Sequence, residues 1–348
     1  MTKKTEPRVV VLLSKYHGSN QQLLAIAKHL NHGKVVPIYC ELRSRSKVFY
    51  LLYRFILWIR EVSGLSPKLS NLLIRLVLRN SIQCHQSDIV LAKTPPFEFP
   101  LHLLASGSGA KAYFVGNPKR ITRDKYDCLI STPSTQISDA EIQLDMMPTS
   151  FTYEEFINTR NSLAVDSNCW CLLIGGNARG FSYSDVHWKE LVDYVIDSCV
   201  SENIRWVIST SPRTGLEAED YLKRRLTENS GFSGDLHLWS EGVSENRVSV
   251  ISLLAQAHRV YVTEDSASML SEAVNTRMPV ISLRPKKSEF NSLTTPLVEY
   301  HASKNRSYRV EIEDLKTQAT SIESWEITAF SPIESCWSKK LFREDQVS

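Results

Sequence analysis

The chain has 348 residues, of which 42% are hydrophobic and 23% are charged. This length exceeds what one compact core of ordinary size holds, so two domains are expected. The formal net charge of +3 is small for such a chain and gives no support to nucleic-acid binding. No window supplies about twenty uninterrupted apolar residues, which excludes an ordinary membrane-spanning helix. The first apolar run, residues 9–13, is too short for a signal peptide, so the mature chain is expected to start at Met1.

Seven cysteines are scattered through the chain, mostly inside apolar runs, and their number is odd. This usage is typical of reduced, buried thiols in a cytosolic protein. Cys169 and Cys171 are the closest pair, and two thiols at close spacing can take part in a zinc site. They alternate within a strand-like run without a second pair, so we assign them to the core and expect no metal site.

The first half of the chain alternates short apolar runs with helical patterns, which predicts a parallel α/β domain. The alternation ends near Leu144. The next stretch, 145–168, is polar and contains Pro148, which predicts a linker. We therefore place an N-terminal Rossmann-like domain at residues 1–150. Its predicted elements are strands at 8–14, 34–40, 88–92, 110–115 and 127–131, and helices at 21–30 and 99–104.

Two strand ends in this half carry candidate site residues. Residues 15–20 are a predicted loop with Gly18 and Asn20, at a position where doubly wound domains approach phosphates or substrate hydroxyls. An ordinary capped turn fits the same residues. His17 in this loop is either a general base or a solvated turn residue. The loop after the third strand adds two residues to the acceptor side of the site, Lys93 and Thr94.

Residues 43–80 are basic and rich in aromatic side chains. From Arg43 to Arg79 there are eight basic residues and one acid, Glu61. The apolar positions of 48–59 go nearly all round the predicted helix, which is typical of a segment lying on an anionic membrane surface. The alternative is a large helix that covers the sheet. Single-stranded nucleic acid would also suit basic and aromatic residues, but the near-neutral net charge disfavours it.

A second alternation predicts a C-terminal Rossmann-like domain at residues 165–330. Its first strand runs into Gly175 and Gly176, which allow backbone N–H groups to approach a ligand closely. Its second strand ends near Ser211 and Arg213, and a guanidinium is suited to a phosphate. The predicted elements here are strands at 170–174, 205–209 and 236–239, and helices at 184–199, 216–227 and 248–257.

Residues 260–285 are a predicted strand, turn, helix and strand, a βαβ unit that places ligands at the carboxyl end of its first strand. Ser266 and Ser268 lie where the helix begins, and such a terminus favours an anion such as a diphosphate. Glu272 lies one turn after Ser268 and can accept two ribose hydroxyls.

Glu264 and Asp265 in the same turn carry negative charge beside the expected diphosphate. We therefore expect them to meet sugar hydroxyls or to be neutralised by Arg213. If the sheet is parallel, the three strand ends of this domain point into one crevice, and together they favour a nucleotide-diphosphate site.

Three strings at these strand ends, LLIGGNARGF, STSPRT and VYVTEDSASMLSEAVNTRMPV, resemble the family of the plant mitochondrial fission factor named for elongated mitochondria. Its bacterial members are labelled glycosyltransferases. The resemblance covers most of the second half, and the first half through Gly18, Asn20 and Gln21. It implies a GT-B α/β fold: two Rossmann-like domains with parallel sheets, a cleft between them, and a helix at 331–348 that crosses back to the first domain.

The resemblance also implies roles for the two domains. The C-terminal domain would hold the nucleotide-sugar donor, and the N-terminal domain would hold the acceptor. The helix start from Ser268 to Ala273 is similar to the donor helix of the lipid-linked peptidoglycan N-acetylglucosaminyltransferase, which suggests Glu272 for the ribose. Family members have a glycine followed by histidine in the first loop, whereas here His17 precedes Gly18.

These features predict a membrane-peripheral glycosyltransferase that moves a sugar from a nucleotide diphosphate to a cell-envelope glycan or lipid-linked acceptor. No metal or other cofactor is expected, because helix termini and basic side chains can stabilise the leaving diphosphate. The expected location is the cytoplasm, on the inner face of the cytoplasmic membrane. The alternative is a non-catalytic adaptor that recruits a partner protein to a membrane, as the plant relatives are thought to recruit a dynamin-like protein.

Overall fold

The computed structural model describes residues 8–13, 17–30, 35–39, 51, 55, 84, 88–93, 97–133, 135, 137–163, 168–242, 248–292 and 294–331. They fall into two compact units, and the second begins at Phe151. Each unit contains one six-stranded parallel sheet, which confirms the predicted pair of Rossmann-like α/β folds.

The first unit is built on β1 to β6, in the spatial order β2-β1-β3-β4-β5-β6. Its central strands are almost wholly buried, as their continuous apolar runs require. The strands are β1 (Val9–Leu13), β2 (Val35–Tyr39), β3 (Ile89–Ala92), β4 (Lys111–Val115), β5 (Cys128–Ser131) and β6 (Ile142–Gln143), and the helices are α1 (His17–Leu30) and α2 (Glu98–Ser108).

Helix α1 begins four residues earlier than the sequence predicts. The predicted loop therefore shortens, and His17, Gly18 and Asn20 belong to the first turn of α1. Asn20 is buried in this turn. Strand β6 was not predicted, because two residues are too few to show a period.

The second unit is built on β7 to β12, in the order β12-β11-β10-β7-β8-β9. The strands are β7 (Cys169–Leu173), β8 (Arg205–Ser209), β9 (Gly234–His237), β10 (Arg259–Thr263), β11 (Val280–Arg284) and β12 (Tyr308–Glu311). The helices are α3 (Tyr153–Asn161), α4 (Asp185–Glu202), α5 (Leu216–Thr227), α6 (Val250–Leu254), α7 (Ala267–Asn275), α8 (Thr295–Ser303) and α9 (Ala319–Thr328).

Counted within the second unit, this strand order is the 3-2-1-4-5-6 order of dinucleotide-binding sheets. Successive connections change direction between β7 and β10, which are neighbours in the sheet. Open parallel sheets bind ligands outside the carboxyl ends of the strands at such a switch point. A ligand site is therefore expected at the loops that follow β7 and β10.

An aromatic cluster fills the core of the second unit. Trp206 is 1% exposed and stands edge-on to Trp170, with ring centroids 5.4 Å apart. Its indole N–H donates to Ser198 Oγ at 2.9 Å, so the buried polar atom is satisfied. Cys169 and Cys171 are fully buried in β7, as expected for core positions.

Several predicted segments differ from the structure or lie outside its described residues. The stretch 145–168, predicted as a linker, contains α3, which starts with a capping box between Thr152 and Glu155. Most of 43–80 and nearly all of 331–348 lie outside the described residues. Among the described helices, none has the length and apolar character needed to cross a bilayer.

Candidate nucleotide site

The loops that follow β7 and β8 are locked together at one carbonyl group. The Gly175 oxygen accepts hydrogen bonds from Ser211 Oγ and from Thr214 Oγ1, the latter at 2.7 Å. Gly175 N–H in turn donates to Thr263 Oγ1 at 2.7 Å. All of these side chains are buried. The predicted convergence of the three strand ends is thus present, and Ser211 serves to hold the loops in place.

Gly175 and Gly176 have a different reason to be glycine from the predicted one. A Cβ on Gly175 would lie 2.1 Å from Asp265 Oδ2, and one on Gly176, where φ is +135°, would lie 2.1 Å from the Arg213 carbonyl oxygen. The protein's own groups therefore occupy the space that a side chain would need at either position. Sequence spacing cannot show this, because Asp265 and Arg213 reach the glycines through tertiary structure.

Asp265 is the centre of a polar cluster at the switch point. Arg213 Nη2 lies 2.6 Å from Asp265 Oδ2, and Tyr183 donates its hydroxyl to Oδ1 at 3.0 Å. Burial, together with the charge of Asp265, raises the pKa of Tyr183 well above its usual value, so this hydroxyl stays a donor. The Asp265 side chain is fully buried, whereas that of Arg213 is 44% exposed. Arg213 thus neutralises Asp265 as predicted and still presents part of its guanidinium to solvent.

Glu264 supports the frame of the site instead of making the sugar contact expected of it. Its carboxylate is buried and accepts from Arg309 Nε at 2.6 Å, from Arg309 Nη2 at 2.8 Å and from Ser282 Oγ at 3.0 Å. Burial alone would lower the pKa of Arg309, but the hydrogen bond and the charge of Glu264 raise it. This bidentate pair joins β10 to β12, and its partner was missed because Arg309 follows Glu264 by 45 residues.

Helix α7 begins at the residues for which an anion site is predicted. Ser266 is the N-cap, and its side chain makes no hydrogen bond to the first-turn N–H groups of the helix. Its hydroxyl lies 3.4 Å from that of the exposed Ser268. The first turn contains no acidic residue, and the Asp265 carboxylate just before the N-cap is paired with Arg213. Glu272 is half-buried one turn further along.

A cavity of about 310 Å³ opens beside this helix at the carboxyl ends of β7, β8 and β9. Its aromatic wall is Trp239, whose side chain is 38% exposed. The sequence prediction missed this wall, although Trp239 ends a predicted strand and an aromatic residue at a strand end is a usable signal. The other lining residues include Pro212, His237, Leu238, Val248 and Met269.

A buried carboxylate fixes the Trp239 wall. Glu219 on α5 is 3% exposed and accepts from the backbone N–H of Trp239 at 2.9 Å and of Ser240 at 3.2 Å. The Thr210 hydroxyl also donates to this carboxylate. The loop after β9 is therefore tied to the start of α5, which makes the cavity wall preorganised.

The predicted residues of the first unit are only partly described. His17 and Gly18 lie at the start of α1, and Thr94 lies outside the described residues. Lys93 follows β3, is half-buried, and donates through Nζ to Gln22 Oε1. Within the described part of the chain, no group of three or more His, Cys, Asp or Glu side chains is arranged to hold a metal ion.

The sequence profile of the family described as mitochondrial fission ELM1 matches residues 17–330. The chain belongs to this family. This match confirms the family resemblance seen in the three strings at the strand ends, and we call the chain the ELM1-family protein. A search of curated protein sequences finds no match to it.

Several solved structures are similar to this chain. The UDP-GlcNAc 2-epimerase of Methanocaldococcus jannaschii has 12% identity and a TM-score of 0.53, over 98% of this chain and 99% of that one. The S. aureus MnaA–UDP complex has 10% identity and a TM-score of 0.52, over 95% and 93%. E. coli heptosyltransferase WaaC with ADP has 12% identity and a TM-score of 0.47, over 91% and 99%. At these identities the first two likenesses show the fold alone, a pair of Rossmann-like units.

Proposed function

We propose that this ELM1-family protein is a glycosyltransferase that moves a sugar from a nucleotide-diphosphate donor to a cell-envelope glycan or lipid-linked acceptor. The observation that carries the proposal is the cavity of about 310 Å³ at the switch-point edge of the second sheet, with Trp239 on one wall and Met269 of α7 on another. An aromatic wall next to apolar side chains suits a nucleobase.

The groups beside the cavity suit the rest of a nucleotide diphosphate. Arg213 offers a partly exposed guanidinium, and the Ser266–Ser268 helix start offers N–H groups and a positive dipole. Glu272, one turn along α7, is placed to accept ribose hydroxyls. The S. aureus protein of similar fold was solved with UDP, which supports a uridine nucleotide as the first ligand to test.

The proposed reaction needs no metal. The acceptor hydroxyl attacks the anomeric carbon, a base in the first unit takes its proton, and Arg213 with the start of α7 stabilises the departing diphosphate. His17 at the start of α1 is the candidate base. The acceptor would be bound through the first unit, with Gly18, Asn20, Lys93 and Thr94 as candidate contacts.

We further propose that the protein works at the inner face of the cytoplasmic membrane through residues 43–80. Two described positions in this segment, Leu51 and Phe55, are helical and have side chains 66% and 55% exposed. Exposed apolar side chains in a segment that is rich in arginine suit an anionic lipid surface.

A non-catalytic adaptor is the second candidate, and one observation favours it. The Gly175 N–H, which was expected to approach a ligand, donates to Thr263 Oγ1, and Asp265 fills the space beside this glycine. A fold that has lost donor binding would tolerate such filling. A measurement of nucleotide binding distinguishes the glycosyltransferase from the adaptor.

The test is a thermal-shift panel with uridine, guanosine, cytidine and adenosine diphosphates. One nucleotide at about 100 times its Kd should stabilise the second unit by about 2.7 kcal/mol. Glu272→Ala should weaken its binding about tenfold or more, because a charge-assisted hydrogen bond is lost. The matched control is Glu217→Ala, at an exposed position on α5, which should bind as the wild type does. No response to any nucleotide would point to the adaptor.

A further inference from the structure

The Lys93 side chain carries its ammonium group into a partly buried position at the end of β3. Lys93 follows β3 directly, its side chain is half-buried, and Nζ donates to Oε1 of Gln22, a buried residue of α1. Gln22 is neutral, so this hydrogen bond does not compensate the charge. In the part of the chain that the structure describes, Gln22 is its only polar partner.

Among the described residues, no carboxylate on α1 or α2, the two described helices that pack on β3, balances Lys93. On α1, the described charged side chain is the exposed Lys28. On α2, the titratable groups are His102 and Glu98, and Glu98 is occupied by the backbone N–H groups of residues 119–121 and by the Tyr126 hydroxyl. Burial lowers the pKa of Lys93 to about 8, so at pH 7 the ammonium stays charged, with no counterion among the described residues.

Lys93 also lies at the switch point of the first sheet. The first sheet has the order 2-1-3-4-5-6, so its switch point lies between β1 and β3. Helix α1 starts after β1, and its positive end faces the same crevice outside the carboxyl ends of these strands. The loop after β4 brings Lys119 and Arg120 toward the start of α2, because their N–H groups bind Glu98.

We infer that the switch-point crevice of the first unit binds a phosphate group, with the Lys93 ammonium as its counterion. Three positive features lie at this edge of the sheet: a half-buried cation, a helix start and a basic loop. This inference rests on the proposed function in one respect, since it identifies the acceptor as a phosphate-bearing molecule. Phosphate binding to the first unit is measured separately from nucleotide binding to the second.

The first test is the stability of Lys93→Met without ligand. Because the native pKa lies below that of the unfolded chain, the wild type carries a penalty below about pH 8 that disappears as the pH rises toward 10.5. At pH 7, Lys93→Met should raise the Tm by about 2–4 °C. This gain should vanish near pH 10. A lysine with a purely structural role would instead lose stability on substitution at both pH values.

The second test is the response to inorganic phosphate at pH 7. Millimolar phosphate should raise the Tm of the wild type and of Lys111→Met, an exposed control at the amino end of β4, and should leave Lys93→Met nearly unchanged. Vesicles of phosphatidylcholine with and without phosphatidic acid form a parallel arm, since a lipid headgroup carries the same anion. A Lys93-dependent response in either arm supports the site, and the arm identifies the source of the phosphate.

Two results would overturn the inference: an equal phosphate response in Lys93→Met and the wild type, or no response in either arm. Nucleotide stabilisation of the second unit should persist in Lys93→Met. A wild type that ignores every nucleotide but responds to phosphate through Lys93 would refute the proposed donor and leave the phosphate site standing.

Discussion

His301 on α8 shows how one buried side chain can set the acid limit of the fold. It is 0% exposed, and neither ring nitrogen has a hydrogen-bond partner among the described residues. Burial, with a smaller contribution from Arg306, lowers the pKa of His301 to about 3. The unfolded chain takes up this proton near pH 6.5 and the native fold does not, so native stability falls as the pH drops from 6.5 toward 3.

We expect the free energy of unfolding of the second unit to fall by about 2 kcal/mol between pH 7 and pH 5 through this residue. His301→Leu removes the titrating group and should flatten that part of the profile. Urea denaturation at the two pH values measures the effect, with His102→Gln in the first unit as the control. Equal losses in the wild type and His301→Leu would assign the acid sensitivity to other groups.

For individual residues, the sequence predicted a contact that follows from neighbouring strand ends, but it did not predict contacts that depend on the tertiary fold. The pairing of Arg213 with Asp265 was predictable, because both residues end strands of one parallel sheet and carry opposite charges. The partner of Glu264 was not, since Arg309 belongs to β12, an edge strand that no pattern indicated. The glycines 175 and 176 were correctly identified as special, but the atoms that crowd them come from distant loops.

At the scale of elements, the loop after β9 depends on a helix that does not line the cavity. Glu219 accepts the N–H groups of Trp239 and Ser240, and the Trp239 N–H is shared with Thr210 Oγ1 at 2.8 Å. Glu219→Ala should cost about 1–3 kcal/mol of unfolding free energy. It should also weaken nucleotide binding without touching the ligand, because the Trp239 wall loses its support.

Urea denaturation and nucleotide titration of Glu219→Ala check both parts of this prediction. The exposed Glu217→Ala on the same helix is the control. Loss of stability with unchanged affinity would mean that the wall holds its position without Glu219. The existence of these elements was predictable from their periods, whereas their ends depended on packing, as the earlier start of α1 illustrates.

At the scale of the whole molecule, the proposed membrane contact depends on residues 43–80. Arg54→Glu with Arg60→Glu reverses two charges in this segment. Since each basic residue near an anionic surface contributes about 1 kcal/mol, binding should fall roughly thirtyfold or more. Sedimentation with anionic liposomes measures this. Arg224→Glu with Lys304→Glu, two exposed basic positions elsewhere, gives the same net charge and should sediment as the wild type does. Equal sedimentation of both double variants would refute the surface helix.

The exposure of Trp239 has an optical consequence. The chain has seven tryptophans, and of the five whose surroundings are described, Trp170, Trp188, Trp206 and Trp325 are each 8% exposed or less, whereas Trp239 is 38% exposed. Indole emission shifts to the red and becomes accessible to a collisional quencher such as acrylamide when the ring meets water. Occupancy of the cavity would therefore be visible as a loss of quenching in the native protein, with no label and no substitution.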